Sequence, residues 1–155
     1  MGAAQPLSQA TADGAEIVRL KARYCHAVDA TIQDPARIDE LLELLHDDVV
    51  VDYGAVGGAG CGKAEVRRLV QERLCAALVW SFHVASNPVL ERTGEDTATG
   101  CWYVQAYGVF RATPAAGPQP VWGRYHERYE RTAAGWKIRE LVLTLETPTP
   151  TPTAP

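Results

Sequence analysis

Four side chains able to move protons fall where burial is expected: Tyr24 and Asp29 around the end of a first helix, His83 early in a long strand, and Glu127 in Gly123-Arg124-Tyr125-His126-Glu127. Asp29 follows Val28 among apolar neighbours, and a carboxylate removed from water is costly unless a partner satisfies it. An imidazole such as His83 is its natural partner. The carboxylate stabilises the protonated ring and makes it a stronger base, which is the basis of general acid/base catalysis. The same residue types also suit an Asp29 that caps a loop and a His83 satisfied inside the core, and residue type alone leaves both open. A metal site built from Asp29, His83 and Glu127 has suitable ligand types but no diagnostic spacing. Strand alternation sends His126 and Glu127 to opposite faces, so one of the two lines a pocket unless a bulge intervenes.

The elements that must position these groups are readable from periodicity. From Ala15 the apolar residues Ile17, Leu20, Tyr24 and Val28 recur at helical spacing, with Asp13 and Glu16 placed as a capping box, and this first helix ends near Ile32. Asp34-Pro35 then opens a short amphipathic helix that carries Ile38, Leu41, Leu42 and Leu45 and runs to His46. The β-branched run Val49 to Tyr53 predicts a strand that stops at a glycine-rich loop, Gly54 to Gly62, and Lys63 to Leu78 predicts a third helix. The texture then changes. Trp80 to Arg92, Thr97 to Arg111, Val121 to Thr132 and Trp136 to Glu146 are rich in Val, Trp, Tyr, Phe and Thr, and Gly/Pro/Ala punctuation separates them as in a meander of four strands. Helices first and strands last predict an α+β domain over residues 14–147, a curved antiparallel sheet wrapped around helices on its concave face. Residues 1–13 and the Pro/Thr-rich stretch 148–155 read as loose tails.

Composition sets the outer bounds. The chain has 155 residues, 46% of them apolar and 22% charged, enough for one core without metals or staples. Fifteen Lys+Arg against nineteen Asp+Glu give a net charge of −4, with no basic block to displace counterions from a phosphate backbone, so nucleic acid is not an expected partner. No run reaches the roughly 18 apolar residues of a membrane helix, and the first residues lack the pattern of a secretion signal, so no membrane is expected and the chain reads as cytoplasmic. Cys25, Cys61, Cys75 and Cys101 form no C-x-x-C pair and read as reduced, mostly buried thiols.

Several local strings, in order, resemble the SnoaL-like branch of the NTF2-like superfamily. They are Tyr24-Cys25-His26-Ala27-Val28-Asp29, Leu45-His46-Asp47-Asp48-Val49, Phe82-His83-Val84-Ala85-Ser86-Asn87-Pro88, Asp96-Thr97-Ala98-Thr99-Gly100-Cys101-Trp102-Tyr103, Gly123-Arg124-Tyr125 and Gly135-Trp136-Lys137-Ile138. The resemblance spans residues 14–146 and implies a cone-shaped sheet around three N-terminal helices. Within the superfamily the pattern looks most like scytalone dehydratase, bile-acid 7α-dehydratase and the lindane dehydrochlorinase. Those enzymes set a first-helix aspartate against a strand histidine, the places held by Asp29 and His83.

That resemblance implies a cofactor-independent lyase or isomerase, a dehydratase or cyclase acting on a small hydrophobic oxygenated compound such as a polyketide or steroid-like molecule. It casts His83 as base, Asp29 as its partner and Tyr24 as an assistant, and it favours an inward Glu127. The aspartate that the bile-acid enzyme carries on its second long strand has no counterpart in Trp102-Tyr103-Val104-Gln105-Ala106-Tyr107. Tyr53, Trp102, Tyr107, Tyr125 and Arg139 are expected to contact substrate, with Arg139 at the cone's mouth. An aromatic outer sheet face implies a homodimer or homotrimer. The competing reading is a non-catalytic ligand-binding or assembly module of the same fold, since fold does not decide function.

Overall fold

Thr11 opens the first helix, α1 (Ala12–Gln33), by accepting a hydrogen bond from the Gly14 amide at 3.1 Å on its hydroxyl. The computed structural model describes residues 4–9 and 11–146. Thr11 takes the cap expected of Asp13, because Asp13 in the first turn and Glu16 just after it are drawn to the sheet. Asp13 binds Arg131 at 2.6 Å and also Arg92, and Glu16 accepts the Trp136 amide at 3.0 Å. Asp34 then caps a 3₁₀ turn, Pro35–Arg37, which runs into α2 (Ile38–Leu42). Helical structure gives way to a strand from Leu45, four residues before the β-branched run that predicted it.

The strands are β1 (Gln5–Pro6), β2 (Leu45–Asp52), β3 (Ala59–Cys61), β4 (Leu78–Arg92), β5 (Thr97–Phe110), β6 (Gln119–Thr132) and β7 (Gly135–Leu145). They form one sheet in the order β1-β4-β5-β6-β7-β2-β3. The four long strands make the expected antiparallel meander, but β2 runs parallel to β7, so the sheet is mixed. Gln5–Pro6, expected in the tail, pairs with Glu91 and Arg92. The C-terminal tail at 148–155 lies outside the described residues. The glycine-rich loop holds a helical turn, α3 (Gly54–Gly57), bounded by the left-handed Gly54 and Gly58. The third helix is broken into α4 (Lys63–Leu69), a π-helical turn (Val70–Leu74) and α5 (Cys75–Ala77).

Register divides the sheet into two faces. Ala98, Trp102 and Val104 of β5 stand opposite Tyr129, Tyr125 and Gly123 of β6, and this row is buried against α1. The alternate row faces outward and keeps Phe82, Val89, Tyr103 and Trp122 between 43% and 63% exposed. The concave face encloses Ile17, Leu20 and Val28 of α1 together with Leu41, Leu45, Ile138 and Leu141, each side chain contributing about 1.5–3 kcal/mol by leaving water. Gly100, in the inward row, leaves space where a Cβ would lie 2.9 Å from the ring of Tyr129. Cys25 and Cys75 are buried, whereas Cys61 is exposed and Cys101 half-buried, so the expectation of mostly buried thiols holds for half of them.

Candidate functional site

Asp29 and His83 meet where α1 runs along the stretch of β4 that β1 does not pair with. Strand alternation turns Ser81, His83 and Ala85 toward the helix, and Asp29 projects back at them. His83 Nδ1 lies 2.6 Å from Asp29 Oδ1, the His83 amide donates to Oδ2 at 3.0 Å, and the Ser81 hydroxyl donates to Oδ1 at 2.6 Å. Burial pushes the Asp29 carboxyl up, but the hydrogen bonds and charge of His83, with the Ser81 hydroxyl, outweigh it and hold the group below its ordinary range. An ionised carboxylate only accepts, so Nδ1 carries the hydrogen and the neutral ring has its lone pair on Nε2. Among the described residues no group pairs with Nε2. No fully buried side-chain polar atom lacks a partner, so Nε2 reaches open space.

Two spaces adjoin the ring. Inside the cone a small apolar cavity of about 70 Å³ is lined by Ser81, His83, Val104, Tyr125 and Leu143, with Val56 of α3 at its rim. Outside, a groove of about 820 Å³ runs between α1 and β4 past His26, Asp29, Gln33 and Phe82. The inner cavity has the volume of about two water molecules at ~30 Å³ each. The groove is open enough for a much larger molecule.

Set within the apolar core of the cone is a buried polar network. Lys21 of α1 lies 2.5 Å from Glu127 Oε1, with side chains 1% and 0% exposed. Tyr129 donates to the other oxygen of Glu127, and Trp102 Nε1 donates to the Tyr129 hydroxyl at 2.8 Å. The Lys21 ammonium also sits 3.4 Å from the centre of the Tyr125 ring and 4.5 Å from that of Tyr24. The Tyr24 hydroxyl donates to that of Tyr53 at 3.2 Å. Burial raises the pKa of Tyr24, Tyr125 and Tyr129 and takes Tyr53 to about 12, so all four phenols stay protonated at neutral pH.

The geometry therefore sorts the expected site residues. Asp29 and His83 are brought together, and Tyr125 lines the cavity beside them. Glu127 does face inward, as the Gly123-Tyr125-Glu127 row requires, but it is engaged by Lys21 and Tyr129 and does not meet the Asp29–His83 pair. Tyr24, Tyr53 and Trp102 belong to the same deep layer and are not among the residues lining either space beside His83. Tyr107 contributes to the cavity wall, although its register opposite Phe82 and Pro120 puts it on the outward row. Arg139, expected at the mouth, instead donates to the Asp48 carbonyl and lies 3.7 Å from Glu130. A carbonyl and a carboxylate on neighbouring strands hold its guanidinium away from the cavity.

Two participants escape a reading of the sequence. Ser81 is signalled only by standing two residues before His83, on the same strand face. Lys21 is four residues after Ile17 and three before Tyr24, on the buried stripe of α1, and an inward Glu127 demands such a cation.

The SnoaL-like domain model matches residues 9–142. The chain belongs to the SnoaL-like family. No curated protein matches it at a significant level. Among solved structures, a provisionally assigned aromatic ring hydroxylase from Novosphingobium aromaticivorans is 29% identical over 88% of this chain and 90% of its own, with a TM-score of 0.74. A provisionally assigned scytalone dehydratase from the same organism is 17% identical over 86% and 83% of the two chains, also at a TM-score of 0.74. The LinA-type3 hexachlorocyclohexane dehydrochlorinase from Novosphingobium barchaimii is 21% identical over 90% of each chain, with a TM-score of 0.72. The latter two likenesses are of fold. No helix among the described residues is long and apolar enough to cross a membrane.

Proposed function

We propose that this SnoaL-like protein is a cofactor-independent lyase or isomerase, a dehydratase or cyclase, in which His83 is the general base and Asp29 its partner. The observation that carries the reading is the 2.6 Å Nδ1–Oδ1 contact combined with an unpaired, accessible Nε2. Nε2 takes a proton from a carbon next to a carbonyl or a leaving group. Asp29 stabilises the resulting imidazolium, which returns the proton to departing hydroxide or to a rearranged carbon. The substrate is a small hydrophobic oxygenated molecule, of the polyketide or steroid-like kind, that reaches Nε2 from the groove beside α1. A panel of hydroxy-ketones and polyketide fragments, followed for dehydration, cyclisation or exchange of the carbon-bound proton, tests the reading. Turnover that His83→Ala abolishes supports it, and turnover that His83→Ala leaves largely intact refutes it.

One observation favours a second reading. The cavity beside His83 inside the cone measures about 70 Å³ against about 820 Å³ for the groove, so a ligand-binding or assembly module, binding in the groove without turnover, competes with the enzyme. A panel member that binds and is recovered unchanged would select it. The exposed outward row, with Phe82, Val89, Tyr103 and Trp122, supports a homodimer or homotrimer closed by a second copy. Light scattering at micromolar concentration tests this, and a monomer there would overturn it.

A further inference from the structure

Ser81 is buried, with 3% of its surface exposed, and its hydroxyl donates to Asp29 Oδ1 at 2.6 Å, onto the oxygen that also accepts from His83 Nδ1. On this basis, and resting on the dyad reading above, we infer that Ser81 is a positioning residue that sets both the direction of the Asp29 carboxylate and the basicity of His83. The directional role follows from the number of donors. Oδ2 is pinned by the His83 amide of β4, and Oδ1 would be held by a single side chain if the serine hydroxyl were absent. With Ser81 in place, both oxygens are fixed to one strand, and the ring that the carboxylate aims cannot rotate freely about it.

The electrostatic role follows from sharing. A hydrogen bond to a carboxylate spreads its negative charge and favours its ionised form. Each donor that Oδ1 accepts besides Nδ1–H reduces what that oxygen offers the imidazolium. Ser81 therefore competes with Nδ1–H for the charge on Oδ1 and weakens the hold of Asp29 on the ring proton. Removing the hydroxyl concentrates the carboxylate charge on Nδ1 and makes the ring more basic.

The other titratable and charged groups lining the two spaces beside His83 are His26 of α1, Asp34 and Arg37 at the 3₁₀ turn, Tyr107 of β5 and Tyr125 of β6. Cys25 of α1 is buried and near enough to Asp29 to sense its charge. A Ser81 substitution changes none of these. Ser81 lines the cavity, opposite Gly108, and Ser81→Thr keeps a hydroxyl on the same Cβ.

The test is an NMR titration of the His83 ring in the full chain, which needs no substrate. Ser81→Ala is expected to raise the His83 pKa by about 0.5 unit, while Ser81→Thr stays within about 0.2 unit of the parent and Asp29→Asn lowers it by about 1 unit. A parent-like pKa in Ser81→Ala, or an equal shift in Ser81→Thr, overturns the assignment to Ser81. An unchanged value in Asp29→Asn overturns the dyad itself, so the two failures are distinct. Should Ser81→Ala not fold, Ser81→Cys supplies the same comparison with a weak donor and is expected to fall between alanine and threonine.

Discussion

Removing either partner of the Lys21–Glu127 pair should destabilise the chain severely, and removing both should not. The ammonium and carboxylate lie 2.5 Å apart with side chains 1% and 0% exposed. In Glu127→Leu the Lys21 charge keeps only the faces of Tyr24 and Tyr125, and a buried charge stripped of its partner costs about 3–5 kcal/mol. The Tyr129 proton loses its acceptor as well, which adds about 1–3 kcal/mol. Against a total stability on the order of 5–15 kcal/mol, such a loss consumes a large share. In Lys21→Met, Glu127 keeps only the Tyr129 hydroxyl, for a loss of about 3–5 kcal/mol. The double variant Lys21→Met/Glu127→Leu replaces both charges with apolar groups of similar volume and is expected to fall between neutral and about 4 kcal/mol more stable, less the cost of the orphaned phenol. Urea unfolding followed by tryptophan fluorescence gives the three values and, from the cycle, a coupling energy of several kcal/mol. Single variants that cost under about 1 kcal/mol, or a double variant that costs the sum of its singles, would refute the account of the cone as holding a mutually dependent ion pair.

Three further outcomes follow from the same structure. Asp29 is held below its ordinary pKa, so its contribution to stability is present above the unfolded value of about 3.9 and lost as pH falls through the lower folded value; the stability gap between parent and Asp29→Asn should shrink below pH ~4 in acid unfolding curves. Tyr24, Tyr53, Tyr125 and Tyr129 are raised by burial, with Tyr53 at about 12. Their contribution is present below the unfolded value of about 10 and lost as pH rises through the folded values, so tyrosinate absorbance from these four should appear together with loss of far-UV dichroism. Gly100→Ala brings a methyl to 2.9 Å from the Tyr129 ring and from Leu90, an overpacking expected to cost about 1–3 kcal/mol in the same urea assay.

Much of this architecture is legible before any coordinates. The four long strands declare themselves because β-branched and aromatic runs alternate with Gly/Pro/Asp breaks, and the first helix because Ile17, Leu20, Tyr24 and Val28 keep one period. The parallel pairing of β2 with β7 is not legible, because nothing local in Val49–Asp52 states which strand it will meet or in which direction. The cap fails for a similar reason: Asp13 has the right type and place, and the tertiary pull of Arg92 and Arg131 leaves the role to Thr11. Asp29 and His83 stand out as polar residues in apolar settings. Lys21 is masked because a lysine on a helix ordinarily belongs to the solvated side, and only its place on the buried stripe and the inward Glu127 show otherwise. Arg139 lies beyond such reasoning, since a long side chain at a strand position reaches whichever carbonyl or carboxylate the neighbouring strands offer.

The central claim is that His83 moves a proton with Asp29 behind it, and the most direct measurement is turnover of the hydroxy-ketone and polyketide panel in deuterated buffer by the parent and by His83→Ala. The parent should convert at least one member or place deuterium on the carbon next to its carbonyl. His83→Ala, with native dichroism, should lose a factor of about 10²–10⁴ in that rate. A His83→Ala protein that retains most of the parent's rate would contradict the account.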